Sequence, residues 1–473
     1  MHVMRSVLAL LAVLAVACGA PGLNIRYYRS LNTAIEAGDF QGARKKLVAS
    51  KELYGEKSRL IWHMDNAMIA HLEGDVDRSN RAVQAAEQTI EELYAKSLTR
   101  EASSFLTSDA SLPYEGEDYE KVFLNVLGAL NYALAGNRDE AVVEAKRADL
   151  KLQERARRYK DSPYSEDAFV RYLMGLIYED GGEINDAWIS YARAIAVYEK
   201  QQGVFGVRVP AALVQRAARA AKQLGFFEEL QSLRDRYGEL VDKALSDRGG
   251  GRLVLVEMAG MVPFKVEQRI EMTLASGIPF VTAQEVTSKE ESDVSSALSV
   301  ARSLPGATNI VIAFPTMQAN PPVTPPARIS VRAGSDPSVA YSTVCEVVHN
   351  LGAIAPLTLK ERMGAIWGRT VARAVVKFLL AYAAEKAGEA AGGKDYGWLV
   401  GALAGAVTSA ALSASEHADT RQWGTLPYEV RMAVLDLPEG VHEVELTSGG
   451  QQWKIPDIKV TPGRATWRVL RTP

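Results

Sequence analysis

Two residues have types and a spacing that could support nucleophilic chemistry. Cys345 and His349 are four residues apart, which is about one turn if their segment is helical. A neighbouring imidazole can lower the pKa of a thiol and so raise its reactivity. A lone cysteine among apolar neighbours, however, is most often a small core residue, and we favour that interpretation for Cys345.

The rest of the sequence offers no catalytic pattern. No two of the six histidines have a spacing typical of a metal site. The chain lacks a complete P-loop, a Gly-x-Ser-x-Gly elbow and a Cys-x-x-Cys pair. The acidic cluster of Glu290, Glu291 and Asp293 is typical of a solvated loop. We therefore predict no enzymatic activity, no metal, no cofactor and no small-molecule substrate.

The charge balance argues against nucleic acid as a partner. The chain has 473 residues, with 54 basic side chains against 57 acidic ones, and no basic run that could neutralise phosphates. Its length is sufficient for two to four domains with substantial cores.

The N-terminus has the features of a cleaved export signal. Arg5 precedes ten apolar residues, Val7 to Val16. As a helix these would rise only about 15 Å, half of the hydrocarbon core of a membrane. The pattern predicts a signal peptide over residues 1–17.

The end of this segment, from Leu14 to Cys18, resembles the lipobox of bacterial lipoproteins. The resemblance implies that Cys18 is diacylated and becomes the mature N-terminus, with an anchor and short linker over 18–23. Ala15 stands where the family prefers Leu. The alternative is an ordinary secretory cut near Ala17 or Ala20.

The residue after the anchor is Gly19 rather than Asp. In Gram-negative lipoproteins this implies an outer-membrane address, and we expect a lipid-anchored envelope protein that faces the periplasm. With Cys18 lipidated, Cys345 has no partner for an internal disulfide, so the fold must be stabilised by packing.

Residues 24–247 carry the pattern of a helical repeat array. The clearest unit, Tyr172 to Tyr198, resembles a tetratricopeptide repeat at Gly175, Tyr178, Gly182, Ala187, Tyr191 and Ala194. Ala187 and Ala194 are small and let two antiparallel helices approach closely, and Gly182 permits the tight turn between them. Further units surround Gly38, Gly74, Gly136 and Gly225. Such arrays usually bind peptides or domains; the alternative is a scaffold without a dedicated groove.

An acidic and aromatic segment stands out within the array. Tyr114, Glu115, Glu117 and Tyr119 come just before a predicted helix. We predict that they bind a partner, together with Tyr132 and Tyr178. The alternative is a solvated, salt-bridged surface.

Four segments carry a further resemblance: LPYEGEDYEKVFLNVLGALNYALAGNRDEAVVEAKRAD, FVRYLMGLIYEDGGEINDAWISYARA, RLVLVEMAGMVPFK and DTRQWGTLPYEVRMA. They resemble a family of bacterial envelope lipoproteins with tetratricopeptide-like repeats. Members are often described as neighbours of lipoproteins that activate peptidoglycan synthases. No catalytic residues are assigned to that family, so the resemblance implies an envelope location but no chemistry.

The composition changes after the glycines at 249–251, and the second half is predicted to be mixed. A strand-containing domain is expected over 252–356, with strands at RLVLVEM, NIVIAFP and RISVRA, then a Gly-rich helical hairpin over 357–415. Alternating strands and turns predict a C-terminal β module with meander order over 426–472. The predicted fold class is therefore α+β and multidomain, with an all-α array first.

The hairpin region leaves several interpretations open. Its first helix carries Arg369, Arg373 and Lys377, and its second stretch, Tyr396 to Ser415, has no charge over twenty residues. Length alone would permit a membrane span. The stretch is rich in Ala, Ser, Thr and Gly, so transfer into lipid would be weakly favourable. We predict a buried hairpin; a membrane element and an oligomerisation core are the alternatives.

Together these features predict a lipid-anchored envelope scaffold or adaptor that binds a periplasmic protein, in cell-wall synthesis if the family resemblance holds. The main alternative is a component of a membrane-associated export or channel assembly that uses residues 357–415. A hydrolase acting on glycans or peptides is a weaker one.

Overall fold

The computed structural model describes residues 23–100, 109–246, 250–274, 308–322, 324–333, 336–391 and 417–473. The predicted signal peptide and Cys18 therefore lie outside the described residues. Eleven helices precede the first strand in the described part of the chain. They are α1 (Ile25–Glu36), α2 (Phe40–Ala49), α3 (Lys51–Tyr54), α4 (Arg59–Glu73), α5 (Val76–Arg100), α6 (Asp118–Leu134), α7 (Arg138–Arg158), α8 (Ala168–Asp180), α9 (Ile184–Phe205), α10 (Ala211–Leu224) and α11 (Phe227–Ser246).

The helices form hairpins at the turn glycines that the repeat pattern indicates. Helix α1 packs on α2, α4 on α5, α6 on α7, α8 on α9 and α10 on α11. The five glycines between them have φ values of 73° to 82°, which residues with a Cβ rarely adopt. They are Gly38, Gly74, Gly136, Gly182 and Gly225. The tetratricopeptide-like array is thus confirmed by its own geometry.

Close packing in the clearest repeat depends on small side chains. A Cβ at Gly175 would lie 2.3 Å from a ring carbon of Tyr191. Ala187, Tyr191 and Ala194 are fully buried. The glycine therefore lets the tyrosine ring fill the space between helices α8 and α9.

The second half contains ten described strands and one long helix. The strands are β1 (Gly251–Ala259), β2 (Phe264–Leu274), β3 (Thr308–Gln318), β4 (Arg328–Ala333), β5 (Asp336–Val344), β6 (Glu346–Asn350), β7 (Glu429–Leu437), β8 (Gly440–Ser448), β9 (Gln451–Val460) and β10 (Ala465–Thr472). Helix α12 (Leu351–Ala391) connects to β6. The three segments predicted as strands before residue 356 coincide with β1, β3 and β4.

The sheets combine strands from both ends of this half. One sheet has the order β10-β1-β7-β6, another β5-β4-β8-β9, and β2 pairs with β3 in a ribbon. Strand β1 is buried along its whole length, so both of its edges need partners. It finds them in β7, antiparallel, and in β10, parallel.

The predicted meander over 426–472 is therefore wrong. Among its four strands, only β8 and β9 pair with each other. Strands β7 and β10 instead pair with β1, and β8 pairs with β4. The strands expected in 252–356 and in 426–472 thus share two sheets across the predicted boundary.

The sheet that contains β1 separates two cores. On one face, Val254, Val256 and Met258 join the core of the helices. On the other face, Leu253 and Leu255 pack against the second sheet. The alternation follows from the period of two in a strand. The described part of the chain therefore has three layers: helices, first sheet and second sheet.

The first sheet packs on one face of the array. Strand β10 contacts α1, α4 and α6, strand β6 contacts α8, and strand β7 contacts α10. These five helices are the first helices of the five hairpins. The chain's own sheet consequently covers the array face that these helices form.

Helix α12 covers the segment predicted as the first arm of the Gly-rich hairpin, but it begins at Leu351 rather than at residue 357. It packs on β3, α6, α9 and β7. Residues 392–416, where the uncharged second arm is predicted, lie outside the described residues. No helix in the described part of the chain has both the length and the apolar character needed to span a membrane.

Candidate partner-binding cleft

Three of the segments quoted for the family resemblance meet where the array contacts the second half of the chain. We call this contact the junction, and define it as residues 114–120, Lys265 and residues 421–425. Its first part starts helix α6, its second lies in β2, and its third precedes β7.

A capping interaction fixes the start of α6 and builds the first side of the junction. The backbone N–H of Glu117 donates to Oε2 of Glu120 at 2.9 Å, as in a capping box. The same oxygen accepts from the Tyr114 hydroxyl at 2.7 Å, and Oε1 accepts from the backbone N–H of Trp423 at 2.7 Å. Burial raises the pKa of Glu120, although Lys265 acts in the opposite direction. This carboxylate thus links α6 to the segment before β7.

Glu117 binds two cations from the second half of the chain. Lys265 donates to Oε1 and Arg362 donates to Oε2. Burial would raise the pKa of Glu117, but the two positive charges outweigh it and lower the pKa to about 2. The Lys265 side chain is 4% exposed, so this ion pair is almost fully removed from water.

The Tyr114 ring lies beside two positive charges, those of Lys265 and Arg421. Lys265 Nζ is 5.7 Å and Arg421 Cζ is 5.4 Å from the ring centroid, within the range of a cation–π contact. Trp423, which is fully buried, donates from Nε1 to the hydroxyl of Thr425 at 2.9 Å. Aromatic and charged groups of the junction therefore hold each other in place.

A third buried carboxylate lies nearby on α4. Asp65 accepts hydrogen bonds from the hydroxyls of Tyr28 at 3.0 Å, Tyr54 at 2.9 Å and Thr425 at 2.7 Å. Burial raises the pKa of Asp65 to about 7, and the three hydroxyl donors reduce that rise. Asp65 thus joins α1, α4 and the segment before β7, and no cation among the described residues pairs with it.

The structure corrects the expected exposure of the predicted partner-binding residues. Tyr114, Glu117 and Tyr119 are buried, and Tyr114 and Glu117 contact Lys265 in the second half of the same chain. They cannot form an exposed rim or a solvated surface. Glu115 is exposed, and it is the member of this set that an external partner can reach at the junction.

The two tyrosines predicted from the repeats lie elsewhere on the array. Tyr132 is half-buried. Tyr178 is buried, with Lys146 Nζ at 5.6 Å from its ring centroid. Neither lines the junction, and their part in partner binding stays a prediction.

An open cleft of about 520 Å³ adjoins the junction. We call it the charged cleft. One wall comes from the array and from residues 109–118, and the other comes from α12, β2, β3 and residues 417–419. Its volume is in the range of ligand-binding sites. Tyr114, Glu115 and Glu117 line this cleft, so three of the predicted residues border a binding-sized space, and Glu115 is the exposed one.

The pair Cys345 and His349 has no geometry for nucleophilic catalysis. The two residues lie at the start and end of an extended segment rather than on one helical turn. Cys345 is buried in the core between the sheets, and burial raises the pKa of its thiol. His349 Nε2 instead lies 2.8 Å from Oδ2 of Asp167. Cys345 is therefore a core residue, in agreement with the favoured interpretation, and it lies between β5 and β6 rather than on a helix.

No metal-binding group of three or more His, Cys, Asp or Glu side chains occurs among the described residues. The acidic cluster at 290–293 lies outside them.

Sequence reasoning missed Lys265 as a junction residue, and Arg362 and Asp65 as residues that bind the junction. A signal existed for Lys265, because it follows the apolar run of a segment that the family resemblance quotes. A lysine beside a buried strand needs an acidic partner. Nothing local pointed to Glu117 as that partner, since the two residues are 148 positions apart.

Comparison with known proteins gives weak likenesses. No family model and no curated protein matches the chain. The apo form of RapI has 11% identity and a TM-score of 0.33, over 46% of this chain and 70% of its own. Nearly identical TPR-like repeats of a putative kinesin light chain from Podosopora anserina have 17% identity and a TM-score of 0.32, over 47% and 96%.

A Rap protein complexed with competence and sporulation factor has 15% identity and a TM-score of 0.28, over 47% of this chain and 54% of its own. Likenesses this weak carry no argument about function. The description of the helical array rests on its own hairpins and turn glycines.

Proposed function

We propose that this protein is a lipid-anchored scaffold or adaptor of the bacterial cell envelope, which binds a periplasmic protein of the cell-wall synthesis machinery at the charged cleft. The sequence from Leu14 to Gly19 supports the anchor and the outer-membrane address. The four segments that resemble envelope lipoproteins support the biological setting.

The observation that carries the partner site is the placement of the chain's own sheet. It covers the array face formed by the first helices of the hairpins, so that face is not free to bind another protein. The charged cleft opens beside it and has walls from both halves of the chain. A partner bound there would contact the array and α12 together.

The junction gives that cleft a fixed shape. Glu117, Glu120 and Asp65 each accept hydrogen bonds from groups in the second half of the chain. Binding at a preformed site avoids the entropy cost of ordering it. The geometry therefore suits a docking site better than a catalytic one.

Site-specific photocrosslinking in cells tests the partner site. A photoreactive amino acid at Glu115, which is exposed at the cleft, is expected to capture a specific envelope protein that mass spectrometry can identify. The matched control is Arg81, which is exposed on α5. The proposal fails if Glu115 captures no protein beyond those captured from Arg81.

Replacement of Cys18 by Ser tests the anchor. The full chain should incorporate radiolabelled palmitate, and Cys18→Ser should lose the label and move from the membrane to the soluble envelope fraction. Unchanged labelling of the variant would contradict lipidation at Cys18. Retention of the unlabelled variant in membranes after carbonate extraction would favour the export or channel alternative.

A further inference from the structure

A stripe of arginines on α12 faces the charged cleft. Arg362, Arg369 and Arg373 are spaced by seven and four residues, so they fall on one face of the helix, and all three line the cleft. The sequence had marked this helix as basic, but the adaptor proposal alone gives these charges no role.

Most acidic groups at the cleft are already neutralised from within the chain. Glu117 is bound by Lys265 and Arg362. Arg155 binds both Asp118 at 2.7 Å and Glu361 at 2.6 Å.

The remaining lining acids are Asp109, Asp419 and Glu115. Asp109 lies 3.5 Å from Arg373 and 3.8 Å from Arg369, and Arg421 binds Asp419 at 2.8 Å. Glu115 is the lining acid without an ion pair among the described residues.

Positive charge, in contrast, remains available on both walls. On the array wall, the side chains of Lys121 and Arg158 form no ion pair within the described part of the chain. On the α12 wall, the side chains of Arg362 and Arg369 are 38% and 53% exposed.

Glu117 is shared by Lys265 and Arg362, and Asp109 is shared by Arg369 and Arg373. Each of these carboxylates offsets only one of its two cations, so positive charge exceeds negative charge along the cleft, and an anion bound between the walls would offset the excess.

We infer that the charged cleft binds an acidic peptide segment of the partner, with carboxylates placed between Arg158 and Lys121 on one wall and Arg362 and Arg369 on the other. This inference rests on the proposed function. Guanidinium groups bind carboxylates with paired hydrogen bonds. An extended peptide can enter a cleft that is walled on two sides, whereas a flat lipid surface reaches only its rim.

Fluorescence anisotropy tests this ligand chemistry on the full chain purified in detergent. The probe is a labelled peptide of alternating Glu and Gly, and the matched peptide has Gln in place of Glu. We expect the Glu peptide to bind and the Gln peptide to bind at least about tenfold more weakly. Affinity should fall with rising salt, because exposed charges are screened.

Charge-reversal variants then locate the site. Arg158→Glu and Arg369→Glu should each weaken binding of the Glu peptide by about tenfold or more, while Arg81→Glu on α5 should leave it unchanged. All three side chains are exposed, so circular dichroism should show an unaltered fold. Equal affinities for the Glu and Gln peptides, or no effect of Arg158→Glu and Arg369→Glu, would overturn the inference.

Two further measurements separate the possible failures. If phosphatidylglycerol vesicles bind through the same arginines and the Glu peptide does not bind, a lipid site replaces the peptide site and the inference is wrong. If the peptide does not bind but crosslinking from Glu115 still captures a partner, the ligand chemistry is wrong and the adaptor proposal stands. If the peptide binds but Glu115 captures nothing in cells, the acidic-ligand site stands and the adaptor proposal falls.

Discussion

Glu117 and Asp65, two of the buried carboxylates that join the helical array to the second half of the chain, have opposite electrostatics. Glu117 is bound by two cations, and its pKa is lowered to about 2. Asp65 is bound by three hydroxyl groups, and its pKa is raised to about 7. Neutral donors therefore do not offset the loss of hydration on burial, whereas two opposite charges do.

The difference gives the two contacts opposite pH dependence. The pKa of Glu117 is lower in the folded chain than its ordinary value of 4.5, so its stabilisation is present above about pH 4.5 and is lost as the pH falls through about 2. The pKa of Asp65 is higher than its ordinary value of 3.8, so its contribution is greatest below that pH and is lost as the pH rises through about 7. Each carboxylate thus stabilises the fold in a different pH range.

The largest effect is expected from Glu117→Gln. The substitution keeps the shape of the side chain but removes the ion-pair partner of the buried Lys265 ammonium. Breaking one partner of a buried pair costs roughly 3–5 kcal/mol in the free energy of unfolding. Urea denaturation at neutral pH measures this loss.

Two variants show whether the loss comes from the unpaired charge. Glu115→Gln, at an exposed neighbour, should stay within about 0.5 kcal/mol of the wild type. The double variant Glu117→Gln with Lys265→Met should recover part of the loss, because it removes the unpaired cation as well. Equal stabilities of Glu117→Gln and Glu115→Gln would show that the ion pair does not stabilise the junction.

Asp65→Asn should change how the free energy of unfolding depends on pH, and not only the value of that free energy at one pH. Between about pH 5 and pH 7 the wild type should lose about 2 kcal/mol through this one group, because the folded chain holds a proton there that the unfolded chain releases. The variant cannot release that proton, so its stability relative to the wild type should rise over this range. Urea denaturation across the range measures the difference.

The control for this change is Asp77→Asn, at an exposed position on α5. Its stability curve should run parallel to that of the wild type. If the Asp65→Asn curve is also parallel, Asp65 is ionised throughout this range and the contrast with Glu117 disappears.

Local features were predictable from the sequence, because local residues determine them. The turn glycines at 38, 74, 136, 182 and 225 were identified by repeat spacing, and their positive φ values follow from the turns themselves. The strand segments RLVLVEM and RISVRA were found by their apolar and β-branched residues. These predictions needed information from only a few neighbouring positions.

Pairings between distant segments were not predictable in this way. Strand β10 pairs with β1 rather than with its neighbours in sequence, because β1 is buried and needs two partners. Glu117 and Arg362 are 245 positions apart. The mixture of acids and tyrosines at 114–120 therefore suggested a surface, although its partners lie in the second half of the chain. The basic face of α12 was predictable from the sequence. That Lys121 and Arg158 of the array line the same cleft was not.

The smallest effect is expected from Tyr54→Phe, which removes one of the three hydroxyl donors to Asp65. At about pH 8, where Asp65 is charged, the loss should be about 1 kcal/mol, and at about pH 5, where the carboxyl is protonated, it should be smaller. Tyr237→Phe removes a hydroxyl that donates to exposed Glu199 and should change stability little at either pH. A loss from Tyr54→Phe that is equal at both pH values would mean that the charge of Asp65 does not change between them. The two carboxylates would then differ in the kind of partner they bind, and not in their protonation.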